Sequence, residues 1–543
     1  GNFKIIVQIY QIMKVLKSFI LFVVTAITIM PSVAQQNNEE DVRKLVSALK
    51  IINYAYVEDV DGEQLTEEAI KSMLKELDPH STYLSKDEIK KANEPLEGNF
   101  EGVGIQFQIF KDTILVVAPI PGGPSYDAGI LAGDKIVSID GENATGEDVD
   151  NQFVQDHLRG KKGTKVEVGI KRSGRKDIIK YTITRDEIPL NSVDAGYMLN
   201  NETGLIKVSR FSRTTVDEFQ EYMQDLKKEG MKNLILDLRG NPGGYLQTAI
   251  DLADQFLDGN KTIVYTEGRV APRRDFNATE QGSFEEGKLI VLINEGSASA
   301  SEIVSGAVQD YGRGLVVGRR SFGKGLVQRP FNLPDSSVIR LTTARYHTPS
   351  GRCIQRPYDE GVDAYYDDLK ERMEHQEHIH ADSISFPDSL KYETITGKTV
   401  YGGGGIMPDI FVAWDSTAYT DYYTELIREQ VPNNFVMNYL ESNRKKLEKQ
   451  YKTVKEFKNE FQLNESFMDD FREYANEKGV EFDEEGYAKA VKQMKALLKA
   501  HIARNIFDIG AYYEVISEID RTISKSLELV NDENAFTENK IAW

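Results

Sequence analysis

The sequence predicts a multidomain α/β protein, and three observations carry that prediction. At 543 residues the chain exceeds what one hydrophobic core organises, and the length prior gives about three to four domains. Hydrophobic residues make up 40% and charged residues 28%, the balance of an ordinary globular protein. Apolar runs of strand length alternate with helix-period stripes through the middle of the chain, most plainly between Leu289 and Gln328.

Composition also excludes some functions. A formal net charge of −20 repels a nucleic-acid backbone, so no nucleic-acid partner is expected. Cys353 is the only cysteine, which rules out an intramolecular disulfide and a cysteine-based metal site.

Residues 1–34 read as a targeting signal. Met13-Lys14-Val15-Leu16-Lys17 is a basic start, Phe19 to Met30 is apolar but short for a membrane span, and Ser32-Val33-Ala34 places small residues at a cleavage site. Residues 1–12 precede that start. Cleavage leaves Gln35 first, and an uncleaved anchor in the inner membrane is the alternative. No lipobox cysteine is present.

Residues 39–97 read as helical, with one stripe at Val42, Leu45, Val46 and Leu49 and another at Ile70, Met73, Leu74 and Leu77. Residues 98–187 hold three turn-plus-strand segments whose glycines have conformational uses: FEGVGIQF, PGGPSYDAGILAGDKIVSIDGE and LRGKKGTKVEVGIKR. Residues 188–415 alternate strands and helices: a strand at 204–211, an amphipathic helix from Thr214 to Glu229, then strand, glycine loop and helix over 233–257. A strand from Val338 to Tyr346 follows. Residues 359–398 form a polar, acidic insertion, and GGGGIMPDIFV resumes the core. Residues 420–543 are helices rich in Lys and Glu. The clearest runs from Tyr487 to Phe507, with Ala490, Val491, Met494, Leu497, Leu498 and Ile502 on one face, read as a cap on the core or else as a subunit interface.

The chemistry concentrates between Leu289 and Gln328. The strand Leu289 to Ile293 breaks at Asn294-Glu295-Gly296, and a helix follows with a stripe of Ile303, Val304, Ala307 and Val308. A serine at such a turn is pushed out at the end of the sheet, beside the unpaired first N–H groups of the helix, which can hold an oxyanion. Ser297, Ser299 and Ser301 all stand there, and as a group they also fit helix caps. After the strand Leu315 to Gly318 comes Ser321-Phe322-Gly323-Lys324-Gly325-Leu326-Val327-Gln328. In an extended conformation Lys324, Leu326 and Gln328 share a face. The glycines beside Lys324 admit a close neighbour, and a desolvated lysine loses its proton more readily than the free side chain at about 10.4, becoming a general base. The histidines offer less. His80 and His347 read as structural, and His375, His378 and His380 match no metal-ligand spacing and read as solvated surface.

The run SASASEIVSGAVQD followed by FGKGLVQ resembles the active-site signature of the bacterial carboxyl-terminal processing peptidases, also called tail-specific proteases. The resemblance implies Ser299 as nucleophile, Lys324 as base and Gln328 as the group that orients Lys324. It implies an oxyanion hole formed by the N–H of Ala300 with that of Gly243 or Gly244. LDPHSTYLSKDE is similar to the family's amino-terminal helical domain, residues 98–187 resemble a PDZ domain, and residues 188–415 resemble its Clp peptidase/crotonase-like core. In the PDZ domain the loop Gly102-Val103-Gly104-Ile105 would receive a peptide carboxylate. Cys353 stands where the family commonly has a hydroxyl residue and is expected to be a buried, inert thiol. The implied function is an exported, periplasmic serine endopeptidase that binds proteins by free, apolar C-termini and needs no metal or cofactor. Its oligomeric state is open. The alternative from another class is a non-catalytic PDZ/crotonase-like binding or carrier protein, since this core fold also serves such roles.

Overall fold

A computed structural model describes residues 39–542, and the signal-segment reading falls outside them. The chain divides into two compact units, one ending at Leu77 and the other beginning at Asp78. The first unit contains a helix over 39–55 and a second at Gly62–Lys75. Asp61 caps the second helix by accepting from the N–H groups of Glu63 and Gln64, satisfying two of its orphan donors. Val42, Leu45 and Val46 are exposed, and of the second stripe only Leu74 is buried.

In the second unit a six-stranded sheet runs in the order Val193–Met198, Thr203–Val208, Asn233–Asp237, Leu289–Ile293, Leu315–Gly318, Ile410–Phe411. Only the first pair is antiparallel. A parallel sheet needs cover on both faces, which is why its strands are continuous apolar runs. Every residue of Leu289–Ile293 is fully buried. Leu289, Val291 and Ile293 face a layer holding Phe219, Ala249 and Val304, from three helices. Ile290 and Leu292 face Ile523, Leu529 and Phe536, from the last two helices, Arg521–Val530 and Glu533–Glu538. A second sheet joins Thr82–Leu84, Val338–His347, Thr262–Glu267 and Arg274–Asn277, with Leu326–Asn332 also paired to Val338–His347.

Residues 98–187 contain a five-stranded antiparallel sheet, with a short sixth strand at Glu142–Asn143, in which Ile105–Ile109 is an edge strand. The helix Asn151–Leu158 closes its own small core of Val116, Ile136, Val154, Val168 and Ile170.

The stripe Ile303, Val304, Ala307 and Val308 is buried as expected, and so is the rest of the helix Ala300–Asp310, because the second sheet and the loop 348–352 close over it. Three expectations need correction. Residues 39–97 are not helical throughout: Asp78 accepts from the N–H groups of His80 and Ser81, turning the chain, and Thr82–Leu84 then pairs with Val338–His347. The polar stretch 359–398 folds into the helix Val362–Glu374 and a hairpin, Lys391–Glu393 with Thr399–Tyr401, and it buries Tyr365 and Arg372; His378 packs against Trp414 instead of being solvated. The apolar face of the long helix, observed as Glu484–Ile506, neither caps the sheet nor lies bare. It forms a separate core with Phe435, Phe457 and Phe471.

Candidate active site

Two loops at the carboxyl ends of adjacent parallel strands build the site, the usual place for ligands in such sheets. The loop after Asn233–Asp237 carries Arg239 to Gly244, and the loop after Leu289–Ile293 carries Asn294 to Ser299. Asn294 Oδ1 accepts from Gly240 N–H (2.8 Å), and Asn241 O accepts from Ala298 N–H (3.0 Å) and from the Ser301 hydroxyl (2.9 Å). Ser297 donates to Leu238 O (2.8 Å). Ser297 and Ser301 are therefore fully buried and spend their hydroxyls on backbone carbonyls. Ser299 alone of the three lines the large cleft of about 1040 Å³ that crosses this edge.

Ser299 precedes the helix Ala300–Asp310 with φ 54° and ψ −109°, a conformation costly for a residue with a side chain. Its N–H donates to Glu302 Oε2 (2.8 Å). Gly243 fits beneath it because it lacks a Cβ: one there would stand 2.9 Å from Ser299 Cβ and 3.0 Å from Ala300 N. Gly243 N–H is already spent on Asn241 Oδ1 (2.9 Å). Gly244 lines the cleft with Ser299 and Ala300, and neither Gly244 N–H nor Ala300 N–H has a hydrogen bond among the described residues.

Lys324 lines the same cleft. The strand begins only at Leu326, and a register shift between Val327 and Gln328 breaks simple alternation, yet Lys324 Nζ donates to Gln328 Oε1 at 3.3 Å. Gln328 Nε2 donates in turn to His80 O, which fixes the amide's orientation. His80 is held by Asp78 and by Tyr365 Oη (3.0 Å). The flanking glycines do admit close neighbours: a Cβ on Gly323 would meet Arg356 Cγ at 2.5 Å, and one on Gly325 would meet Gln355 N at 2.9 Å. Burial holds the Lys324 amine below the ordinary lysine range; Asp78 and Glu302 oppose that shift and Arg340 adds to it. Cys353, expected to be buried, is only half-buried, beside Gly325, and burial pushes its thiol up.

Sequence reasoning missed two residues that hold the site together. Glu302 is fully buried and accepts from Ser299 N–H (2.8 Å), Ser321 Oγ (2.5 Å), Gly323 N–H (2.7 Å) and Lys324 N–H (2.9 Å). One carboxylate thus ties the serine loop to the lysine loop. Its spacing from Ser299 is that of a capping box, a signal visible in the sequence. Tyr346, also buried, sets its hydroxyl 2.6 Å from Lys324 O and 3.1 Å from Ser299 O.

The loop 102–105 is divided. Gly102 pairs in a strand with Asp186, while Val103, Gly104 and Ile105 line a groove between the edge strand and the helix Asn151–Leu158. The carbonyls of Val103 and Gly104 are tied to Ser125 N–H and Ile120 N–H, both at 3.0 Å.

A family model described as peptidase family S41 matches residues 202–364, and a PDZ domain model matches residues 115–172. A model of the activating protease CtpB N-terminal domain matches 7–88, and one of a family of unknown function matches 422–508. The chain is similar to the carboxy-terminal processing protease CtpB of Bacillus subtilis, 36% identical over 331 residues, or 60% of this chain and 68% of that protein. It is 37% identical over 346 residues to the carboxy-terminal-processing protease of Bartonella bacilliformis, covering 62% of this chain and 78% of the relative. With a probable CtpA-like serine protease of Staphylococcus aureus it shares 36% over 325 residues, 59% of this chain and 64%, just under two thirds, of the relative.

Proposed function

This chain belongs to the carboxy-terminal processing proteases of peptidase family S41, and we propose that it cuts proteins with a Ser299–Lys324 dyad after capturing their C-terminal tails. The observation that carries this reading is the shared cleft: Ser299 and Lys324 both line it, joined through Glu302, with Gln328 hydrogen-bonded to the amine. Ser299 Oγ attacks the scissile carbonyl carbon. Lys324, whose pKa burial lowers so that its amine sheds a proton more readily, acts in its neutral form: it takes the hydroxyl proton and returns it to the leaving amine, while Gln328 keeps the amine aimed. The oxyanion takes its hydrogen bonds from Ala300 N–H and Gly244 N–H, since Gly243 N–H is already engaged. Water then hydrolyses the acyl-enzyme, with no cofactor needed.

Residues 98–187 act as the PDZ domain, taking the substrate's terminal carboxylate on the N–H groups of Val103 to Ile105 while the tail adds a strand beside Ile105–Ile109. The chain is exported, with residues 1–34 removed as a signal peptide.

An unfolded protein ending in an apolar free carboxylate is expected to be cleaved at least about fivefold faster than the same protein amidated at its C-terminus, the loss of one charge-assisted contact. Equal turnover removes the tail-capture step. Gly243→Ala is expected to cost about 10²-fold in kcat, because the added methyl displaces the Ser299 turn. Unchanged kinetics would show that the loop moves aside freely.

A further inference from the structure

The outer face of the sheet that carries the tail groove is covered. Leu115 packs with Phe110 and Met437, Lys111 donates to Asn438 (2.7 Å), and Lys135 pairs with Glu441 (2.6 Å), so the helix Val431–Gln450 lies over it. Where this cover reaches the edge strand it leaves a cavity of about 330 Å³, walled by Phe107, Gln108 and Val117 from the sheet and by Gln430, His501 and Arg504 from the helices. Two buried atoms on its helical wall, His501 Nδ1 and Asn505 Oδ1, have no hydrogen-bond partner. Arg504 is exposed, has no ion pair among the described residues, and is the only lining residue with a full charge. Burial lowers the pKa of His501 to about 4, so its imidazole is neutral near pH 7.

Strand geometry links this cavity to the groove. A tail added antiparallel to Ile105–Ile109 points alternate side chains to opposite faces, and residues directly across from each other share a face. With the terminal residue opposite Ile105, the residue two before it stands opposite Phe107, and the residue three before it stands opposite Gln108. Ile105 and Phe107 line the groove against the helix Asn151–Leu158; Phe107 also borders the second cavity, and Gln108 lines that cavity alone.

We propose that the cavity is a second subsite of the tail groove, in which the C-terminal helices receive an acidic side chain from the residue three before the substrate's C-terminus. The inference rests on the tail-capture reading above. It gives the segment 422–508 a role in substrate choice, with Arg504 as the residue that sets the sign of the preference.

The test is binding of fluorescent tails to the full chain carrying Ser299→Ala, with Glu, Ala or Lys three residues before the end, and the Glu tail also amidated. The Glu tail is expected to bind about fivefold tighter than the Ala tail and the Lys tail more weakly than either, with the spread shrinking as salt rises. Arg504→Ala is expected to abolish the preference without changing affinity for the Ala tail, and Arg504→Glu to reverse it toward Lys. If free-acid tails bind better than the amidated one but the Glu, Ala and Lys tails bind alike, the subsite is overturned and tail capture stands. If amidation makes no difference, tail capture fails and the subsite fails with it.

Discussion

Lys324→Ala is expected to lower kcat/KM for peptide cleavage at least about 10³-fold while leaving tail binding unchanged, because the nucleophile loses its base and the groove does not touch it. Ser299→Ala should cost as much, and the double variant little more, since two groups that act as one unit do not add. The pH profile separates a base from a merely structural lysine. Burial depresses the amine's pKa, so the active neutral fraction grows as pH rises, and kcat/KM should climb about tenfold per pH unit until that pKa is passed. Lys324→Arg keeps a charge that cannot be shed and should be as inactive as the alanine variant at every pH. The alanine variant also removes a desolvated amine, so its Tm should not fall. A variant that retains cleavage within tenfold of wild type would remove the dyad.

Which parts of this site the sequence discloses follows from how local each contact is. The turn that exposes Ser299 is built within a dozen residues, so strand, break and helix could be read directly. The glycines around Lys324 advertise close neighbours but cannot say which, and the neighbours prove to be Arg356 and Gln355, from the loop that follows the strand Val338–His347. The choice among Ser297, Ser299 and Ser301 depends on carbonyls at Leu238 and Asn241, distant in sequence, and hence on tertiary structure. Gly243 and Gly244 look equivalent in a string of letters and separate only when Asn241 is seen to occupy one N–H. His80 reads as structural, yet its carbonyl orients Gln328 across 248 positions of sequence. The helical faces follow the same rule. A stripe at Ala490, Met494 and Leu498 announces burial but not its partner, and the partner is a third hydrophobic core that no local pattern specifies.

Glu302 supplies the other large effect. Its carboxylate accepts from both the serine and the lysine loops, and Glu302→Ala would leave Ser299 N–H, Gly323 N–H, Lys324 N–H and the Ser321 hydroxyl without it. Unsatisfied buried donors cost about 1–3 kcal/mol each and are not additive, so a loss of about 3–5 kcal/mol and a clear drop in Tm are expected. Glu302→Gln is the sharper probe. It preserves shape but turns an NH₂ toward donors, so kcat should fall about 10²-fold with tail affinity unchanged, as the Ser299 turn and the Lys324 loop separate. The proton gives an independent readout. Burial raises the Glu302 pKa from its ordinary 4.5 to about 6, so the folded state binds this proton more tightly than the unfolded one. Its contribution to stability is therefore complete below 4.5 and lost as pH rises through about 6, a term on the order of 2 kcal/mol. Activity should run the other way, since a protonated carboxyl gives up one acceptor position and loosens the clamp below about pH 6. Between about pH 5 and 7, across roughly that titration, wild type should gain cleavage while losing most of this increment of stability, and Glu302→Gln should flatten the stability curve and leave in the cleavage curve only the climb that Lys324 sets. Parallel loss of Tm and cleavage on acidification, unchanged in Glu302→Gln, would mean that the carboxylate only fills space.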